Sequence, residues 1–192
     1  MRPPILTSRL LLRDLTESDA PLLFDLDSDP QVLRYVGPRL ANDVAAVAER
    51  IRTVQIPQQN HPWHGTRIVL DRFTNDFLGW VFIRPAPASR SAAAFGWTNQ
   101  SEVEIGYRYR RSAWGRGIAT EAAMPLMELA LADAATSAIV ACAHSNNTGS
   151  LRVLAKLGLK PVSQVILPDA TEPTFKLARP KIGTTGPTNG HR

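Results

Sequence analysis

The stretch Ser101–Glu121, reading SEVEIGYRYRRSAWGRGIATE, constrains the fold more than any other part of this chain. It begins as a strand in which Val103, Ile105, Tyr107 and Tyr109 share one face and Glu102, Glu104, Gly106 and Arg108 the other, as a side-chain period of two requires. A turn follows in which Gly115 and Gly117 remove two Cβ atoms, and Ile118, Ala119 and Thr120 then begin an amphipathic helix. The first amides of a helix have no internal partner and lie at the positive end of its dipole, so this turn is predicted to bind a phosphate-like anion. Arg110, Arg111 and Arg116 add cations that favour a polyphosphate over a single carboxylate.

Two phosphate-loop signatures fail here. G-x-x-x-x-G-K-[ST] is absent, and the Gly115–Thr120 string lacks the third glycine of the dinucleotide fingerprint. With 192 residues and 44% apolar content, one domain over residues 1–179 with a flexible tail at 180–192 is expected. The net charge of +5 is concentrated in residues 108–116 and near the C-terminus. No basic helix or set of stacking aromatics accompanies it, so neither nucleic acid nor a membrane is an expected partner. Cys142 is the single cysteine, which rules out an internal disulfide, and Ile5–Leu12 is interrupted by Arg9 without a cleavage signature, so a cytoplasmic protein is expected.

Along the rest of the chain, Ser8–Leu15 reads as a strand and Thr16 as the N-cap of a helix. Asp29-Pro30 opens a short helix ended by Gly37-Pro38, and Asn42 or Asp43 caps a third that runs to about Gln55 with Val44, Val47, Ala48 and Ile51 on one face. Ile56–Gly65 reads as a loop with an aromatic anchor; His61 and His64 lack the further ligands that a metal would need. Thr66–Asp71 and Phe77–Arg84 form a predicted hairpin with a bulge at Gly79, and Pro85–Gln100 a long loop in which Trp97 either anchors the loop or lines a pocket.

Beyond the central motif, apolar residues from Ile118 to Ala130 recur at helical spacing, and Ala138–Ala143 is a short buried strand. A strand–helix–strand crossover is right-handed, which makes that strand parallel to the one at Glu102–Tyr109 and brings His144-Ser145-Asn146-Asn147 to the same edge as the arginine turn. Asn147 then caps a helix that Gly158 ends, and Leu159–Leu167 and Thr174–Ala178 supply two last strands.

The paired strings EVEIGYRYRRSAWGRGIATEA and SNNTGSLRVLAKLGLKPV resemble the GNAT superfamily of acyl-coenzyme-A-dependent N-acyltransferases, and the opening LTSRLLLRDLTESDA is similar to its ribosomal-protein N-terminal acetyltransferase-like (Rim-type) branch. The resemblance covers roughly residues 7 to 179. It implies an α/β fold: a mixed, mostly antiparallel sheet of about six or seven strands, helices on both faces and a splayed parallel pair in the centre. It also implies acetyl-CoA as cosubstrate, an amine acceptor, no metal, and a monomer or homodimer. Carried over by position, the coenzyme motif falls on Trp114, Gly115, Arg116, Gly117, Ile118 and Ala119, with Trp114 where Gln or Arg is usual; Arg111 and Thr120 flank it. Asn147 matches the residue that contacts the pantetheine arm and Ser150 the helix serine. The position at which many members carry a tyrosine general acid is Leu154, so Ser150 becomes the candidate acid.

An amine that attacks a thioester must lose a proton, and Glu104 is the candidate base, working through water, with Glu102 and His144 in reserve. A strand amide near Ile105 to Tyr107 would meet the oxyanion where the parallel strands splay, as the resemblance implies. At pH 7 an α-amine of pKa about 8 is roughly a tenth neutral, against well under a thousandth for lysine. Peptide N-termini and moderately basic small-molecule amines are therefore the expected acceptors. A non-catalytic acyl-CoA-binding sensor, needing neither Glu104 nor Ser150, is the alternative.

Overall fold

The computed structural model describes residues 2–36, 41–89, 91–167 and 170–178. The expected tail at 180–192 and the Gly37-Pro38 stop lie outside them. Among the described residues the elements are β1 (Ile5–Leu6), β2 (Leu10–Asp14), α1 (Ala20–Leu26), α2 (Pro30–Leu33), α3 (Val44–Arg50), β3 (Gly65–Asp71) and β4 (Phe77–Pro85). They continue with α4 (Ala92–Phe95), β5 (Glu102–Tyr109), α5 (Ile118–Ala132), β6 (Ala138–Cys142), α6 (Thr148–Lys156), β7 (Lys160–Leu167) and β8 (Ala170–Ala178).

One sheet runs in the order β1-β2-β3-β4-β5-β6-β8-β7. Every neighbouring pair is antiparallel except β5 with β6, which is parallel as the crossover requires. Eight strands replace the six or seven expected. The addition is β1, whose two residues pair with Leu12 and Leu11 and are too few to carry a period. The strand β8 also starts earlier than expected, at Ala170. The predicted bulge at Gly79 is real: the β3–β4 register shifts there, and a Cβ on Gly79 would lie 2.2 Å from Arg108 O.

The period of two divides the core. Leu10 and Leu12 of β2 and Val69 of β3 join Val81, Ile83, Val103, Ile105 and Tyr109 beneath α5 and α6. Leu15, Ile68 and Leu70 face the other way, against α1 and α3, with Ala20, Leu23 and Ile51. Helix α5 buries Ile118, Ala122, Ala123, Leu126, Met127 and Ala130 against the first face, and full burial of each large side chain there is worth about 1.5–3 kcal/mol. Val44, expected on the buried face of α3, is exposed because that helix starts with Val44 at its free end, before the chain reaches the sheet. The long loop contains its own turn Ala86–Ala88 and α4, and Trp97 is buried against Ala86 and Val140 as an anchor, while also lining a cleft of about 270 Å³. Trp63 anchors its loop likewise, with Nε1–H donating to Asp133 Oδ2 at 3.3 Å.

Candidate functional site

The chain leaves β5 with Arg110 N–H bonded to Leu78 O, makes one tight turn at Arg111–Ala113, and enters α5 through Gly115 at φ 72° and Gly117 at φ 78°. Both glycines sit in the left-handed region, where other residues are strained. The helical ladder starts with Glu121 N–H to Gly117 O at 3.0 Å. Among the described residues, none of the six amides from Gly115 to Thr120 donates a hydrogen bond. A Cβ on Gly115 would meet nothing within 4 Å, so the turn opens outward. Six consecutive free donors at a helix N-terminus fit a diphosphate.

A brace under this turn holds it to the N-terminal strands. Glu121 Oε1 accepts from Thr7 Oγ1 (2.6 Å), Ser8 Oγ (3.0 Å) and Arg9 N–H (2.9 Å), and Oε2 accepts from Arg9 Nε (2.7 Å). These donors outweigh burial and hold the carboxyl down to about 2. Arg9 also donates to Arg116 O at 3.0 Å, fixing the backbone of the turn itself.

The cations expected to crowd the anion are largely spoken for. Arg110 pairs with Asp25 at 2.7 Å, Arg111 with Asp29 at 2.6 Å and Arg108 with Asp27 at 2.5 Å. Alternate acids at the end of α1 thus clasp the end of β5 around a cleft of about 430 Å³ lined by Asp25, Asp29, Val32, Arg110, Arg111 and Ser112. Asp29 also caps α2, and its bond from Gln31 N–H, then Arg111, lowers its pKa. Arg116 donates only to Ser112 O, at 3.3 Å.

The parallel pairing of β5 and β6 covers Glu102, Val103 and Glu104 against Ala138, Ile139 and Val140 and then stops, although both strands continue. Past Glu104 and Val140 a fork opens that exposes the β6-facing edge of β5 around Ile105 to Tyr107. On the α5/α6 face, the Tyr107 hydroxyl reaches across it to Ser150 Oγ at 3.0 Å and Ser150 O at 3.3 Å. Burial pushes the Tyr107 phenol up to about 12. Asn147 caps α6, its Oδ1 accepting from Ser150 N–H at 3.1 Å. Leu154, at the position where a tyrosine acid is usual, is 1% exposed in the core.

On the opposite face β4 and β5 pair Trp80 with Arg108, Phe82 with Gly106 and Arg84 with Glu104. Gly106 is needed for space, since a Cβ there would lie 2.5 Å from the Phe82 ring. Glu104 is buried and its Oε2 accepts from Arg84 at 2.7 Å, while Glu102 is buried beside Lys176 at 2.5 Å. These carboxylates are therefore interior groups held by cations. His144 accepts from Asn146 N–H through Nδ1 and lies against the Tyr35 ring, 5.0 Å between centroids. Helices α5 and α6 pack on the first face, and Phe82, Gly106 and Glu104 lie on the second. His61 and His64 lie far along the chain, stacked on each other at 3.7 Å; burial, then the neighbouring His61, lowers His64 to about 4. No group of three metal-ligating side chains occurs among the described residues.

The structure therefore brings Glu104, Ile105, Tyr107, Asn147 and Ser150 around the fork and Trp114, Gly115, Arg116, Gly117, Ile118, Ala119 and Thr120 around the anion turn. Arg111 stands between them on Asp29. Two partners were missed from sequence: the hydroxyl of Tyr107, a residue expected to serve at the coenzyme through the strand backbone, and Arg84. The signal for the first was a phenol on the apolar face, which usually finds a polar partner when buried, although Tyr109 on the same face has none among the described residues.

Comparison with known proteins agrees with this geometry. The family model described as Acetyltransferase (GNAT) domain matches residues 9–160. An uncharacterized N-acetyltransferase, p20, of Bacillus licheniformis is 26% identical over 156 residues, covering 80% of this chain and 80% of its own. Among solved structures, the aminoglycoside acetyltransferase AAC(6')-Ib in complex with coenzyme A superposes with a TM-score of 0.70 at 21% identity, covering 88% of this chain and 95% of that one. RimL, the ribosomal L7/L12 alpha-N-protein acetyltransferase, also in complex with coenzyme A, superposes at 0.73 and 15% identity, covering 92% and 98%. At these identities the two structures speak for the fold.

Proposed function

Because the chain belongs to the acetyltransferase (GNAT) family and is an acyl-coenzyme-A-dependent N-acyltransferase that uses acetyl-CoA, we propose a direct acetyl transfer to the amine of a peptide N-terminus or of a small molecule. The observation that carries the reading is that the open fork and the run of six free amides share one sheet edge. The amides from Gly115 to Thr120 hold the diphosphate, Asn147 meets the pantetheine arm, and the thioester lies in the fork with its carbonyl oxygen against the free edge of β5 near Ile105 to Tyr107.

The amine enters over Phe82 and Gly106 and attacks the thioester carbon directly. Its proton leaves by way of a water to Glu104, which Arg84 orients. The carbon–sulfur bond breaks as the amide forms, and the departing sulfur takes a hydrogen bond from Ser150 Oγ–H, with Tyr107 O–H behind it. A phenol near 12 is too weak an acid to protonate a thiolate of thiol pKa about 8.5 outright. Tyr107 therefore polarises Ser150, and the thiol gains its proton from water.

Acceptor choice follows from amine pKa: an α-amine supplies a far larger neutral fraction at pH 7 than lysine does. The RimL likeness and the LTSRLLLRDLTESDA opening favour the Rim-type branch and a peptide N-terminus, while the AAC(6')-Ib likeness keeps small-molecule amines in view. A thiol-release assay over N-terminal peptides, lysine peptides and small amines tests this. Turnover on α-amines that falls at least about a hundredfold in Glu104→Gln is expected. Tight coenzyme binding without turnover on any amine would return the protein to the sensor reading.

A further inference from the structure

The six free amides account for a diphosphate and leave the residue in front of them unexplained. Trp114 follows the turn Arg111–Ala113 and precedes Gly115. Its indole N–H donates to Tyr109 O at 2.8 Å, so its one polar group is satisfied within the protein and the ring is held from that edge. Even so, 49% of the residue is open to water. Of the four tryptophans, Trp63 and Trp97 are buried and Trp80 is half-buried against Phe82, which leaves Trp114 as the exposed one. A large flat ring fixed by its edge, half open to water and next in sequence to the amide cradle offers a face on which a planar group can lie.

The covalent order of the ligand limits what can do so. From a diphosphate seated on residues 115–120, the pantetheine arm leads one way into the fork between β5 and β6, and the nucleoside lies on the other side. Arg116, donating to Ser112 O across the same turn, adds a cation to the cradle, and the nucleoside of coenzyme A carries an additional phosphate. A purine has a broad π face, and stacking on an aromatic side chain needs no hydrogen-bond code.

We propose that the indole of Trp114 is the stacking platform for the purine ring of the coenzyme. The residue thereby contributes through its side chain what a Gln or Arg at that position would not: recognition of the nucleoside as distinct from the diphosphate. The proposal rests on residues 115–120 being the diphosphate cradle, and the test separates the two.

Calorimetry compares coenzyme A with 4'-phosphopantetheine, which lacks the nucleoside together with the second bridging phosphate and the additional one, each ligand being compared across wild type, Trp114→Ala and Trp114→Phe. Stacking predicts that Trp114→Ala weakens coenzyme A by about 5- to 150-fold and leaves phosphopantetheine unchanged, with Trp114→Phe retaining most of the affinity. Coenzyme A, but not phosphopantetheine, should also quench the fluorescence of the wild type, and the quench should vanish in Trp114→Phe. Equal weakening of both ligands in Trp114→Ala would mean that the indole only shapes the turn. No change in either would mean that it faces solvent throughout, and both results overturn the proposal. Failure of coenzyme A to bind wild type would instead bring down the cradle and the platform with it.

Discussion

Glu121 is the acid on which the anion turn is braced, and replacing it with Gln gives a number that can be checked. In the folded protein the carboxylate takes hydrogen bonds from Thr7, Ser8 and the Arg9 backbone and an ion pair from the Arg9 side chain at 2.6 Å. Its pKa falls from 4.5 to about 2. A fall of that size would be worth at most about 3.4 kcal/mol at neutral pH. Glu121 is 16% exposed but Arg9 is 45% exposed, so water screens part of the pairing and about 1.5–2 kcal/mol is the expected share. A depressed carboxyl stabilises the folded state fully above its unfolded pKa and loses that contribution as pH falls from about 4.5 through about 2. Urea denaturation of wild type and Glu121→Gln at pH 7, 5 and 3 should therefore show a difference of about 1.5–2 kcal/mol at pH 7, the same at pH 5, and a clearly smaller one at pH 3. The matching loss of Tm at pH 7 is about 3–8 °C for a chain of this length. A difference below about 0.5 kcal/mol at pH 7, or one as large at pH 3 as at pH 7, would refute the account of the brace.

The other perturbations read the fork and the turn. Tyr107→Phe and Ser150→Ala should each lower kcat by about tenfold with little change in KM for acetyl-CoA, and the double variant should be no worse than the single ones, since the two hydroxyls act as a unit; additive losses would contradict the coupling. Gly106→Ala drives a methyl into the Phe82 ring, so the acceptor KM should rise while the affinity for coenzyme A measured by calorimetry stays within about twofold. Gly117→Ala forces a left-handed φ on a residue with a Cβ, which should cost about 1 kcal/mol of stability and weaken coenzyme A at least tenfold; a variant that binds as tightly as wild type would count against the amide cradle.

Much of the fold was legible because its signals were local. The alternation in β5, the Asn147 cap, the Gly158 stop and the hydrophobic period of α5 all lie within a few residues of what they decide. The parallel partnership of β5 and β6 followed from the helical crossover that joins them. What escaped depended on contacts far apart in sequence. The two-residue strand β1 exists only because Leu11 and Leu12 lie beside it. The pairing of Glu104 with Arg84 depends on the register between β4 and β5, two strands that a long loop joins and whose alignment no local signal sets. The candidate site was legible in its glycines and its caps, since backbone geometry demands those residue types. Tyr107 was placed on the correct face, yet its hydroxyl partner comes from α6, 43 residues on.

The clasp of Asp25, Asp27 and Asp29 on Arg110, Arg108 and Arg111 bears on how an anionic cosubstrate arrives. A count of arginines suggests a long-range pull that ordinary salt would blunt. With the opposite charge already seated on them, the far field largely cancels, and capture falls to peptide dipoles that act only within a few ångströms. Whatever salt dependence the encounter with the donor keeps should then come from the net +5 of the whole chain and not from these three arginines.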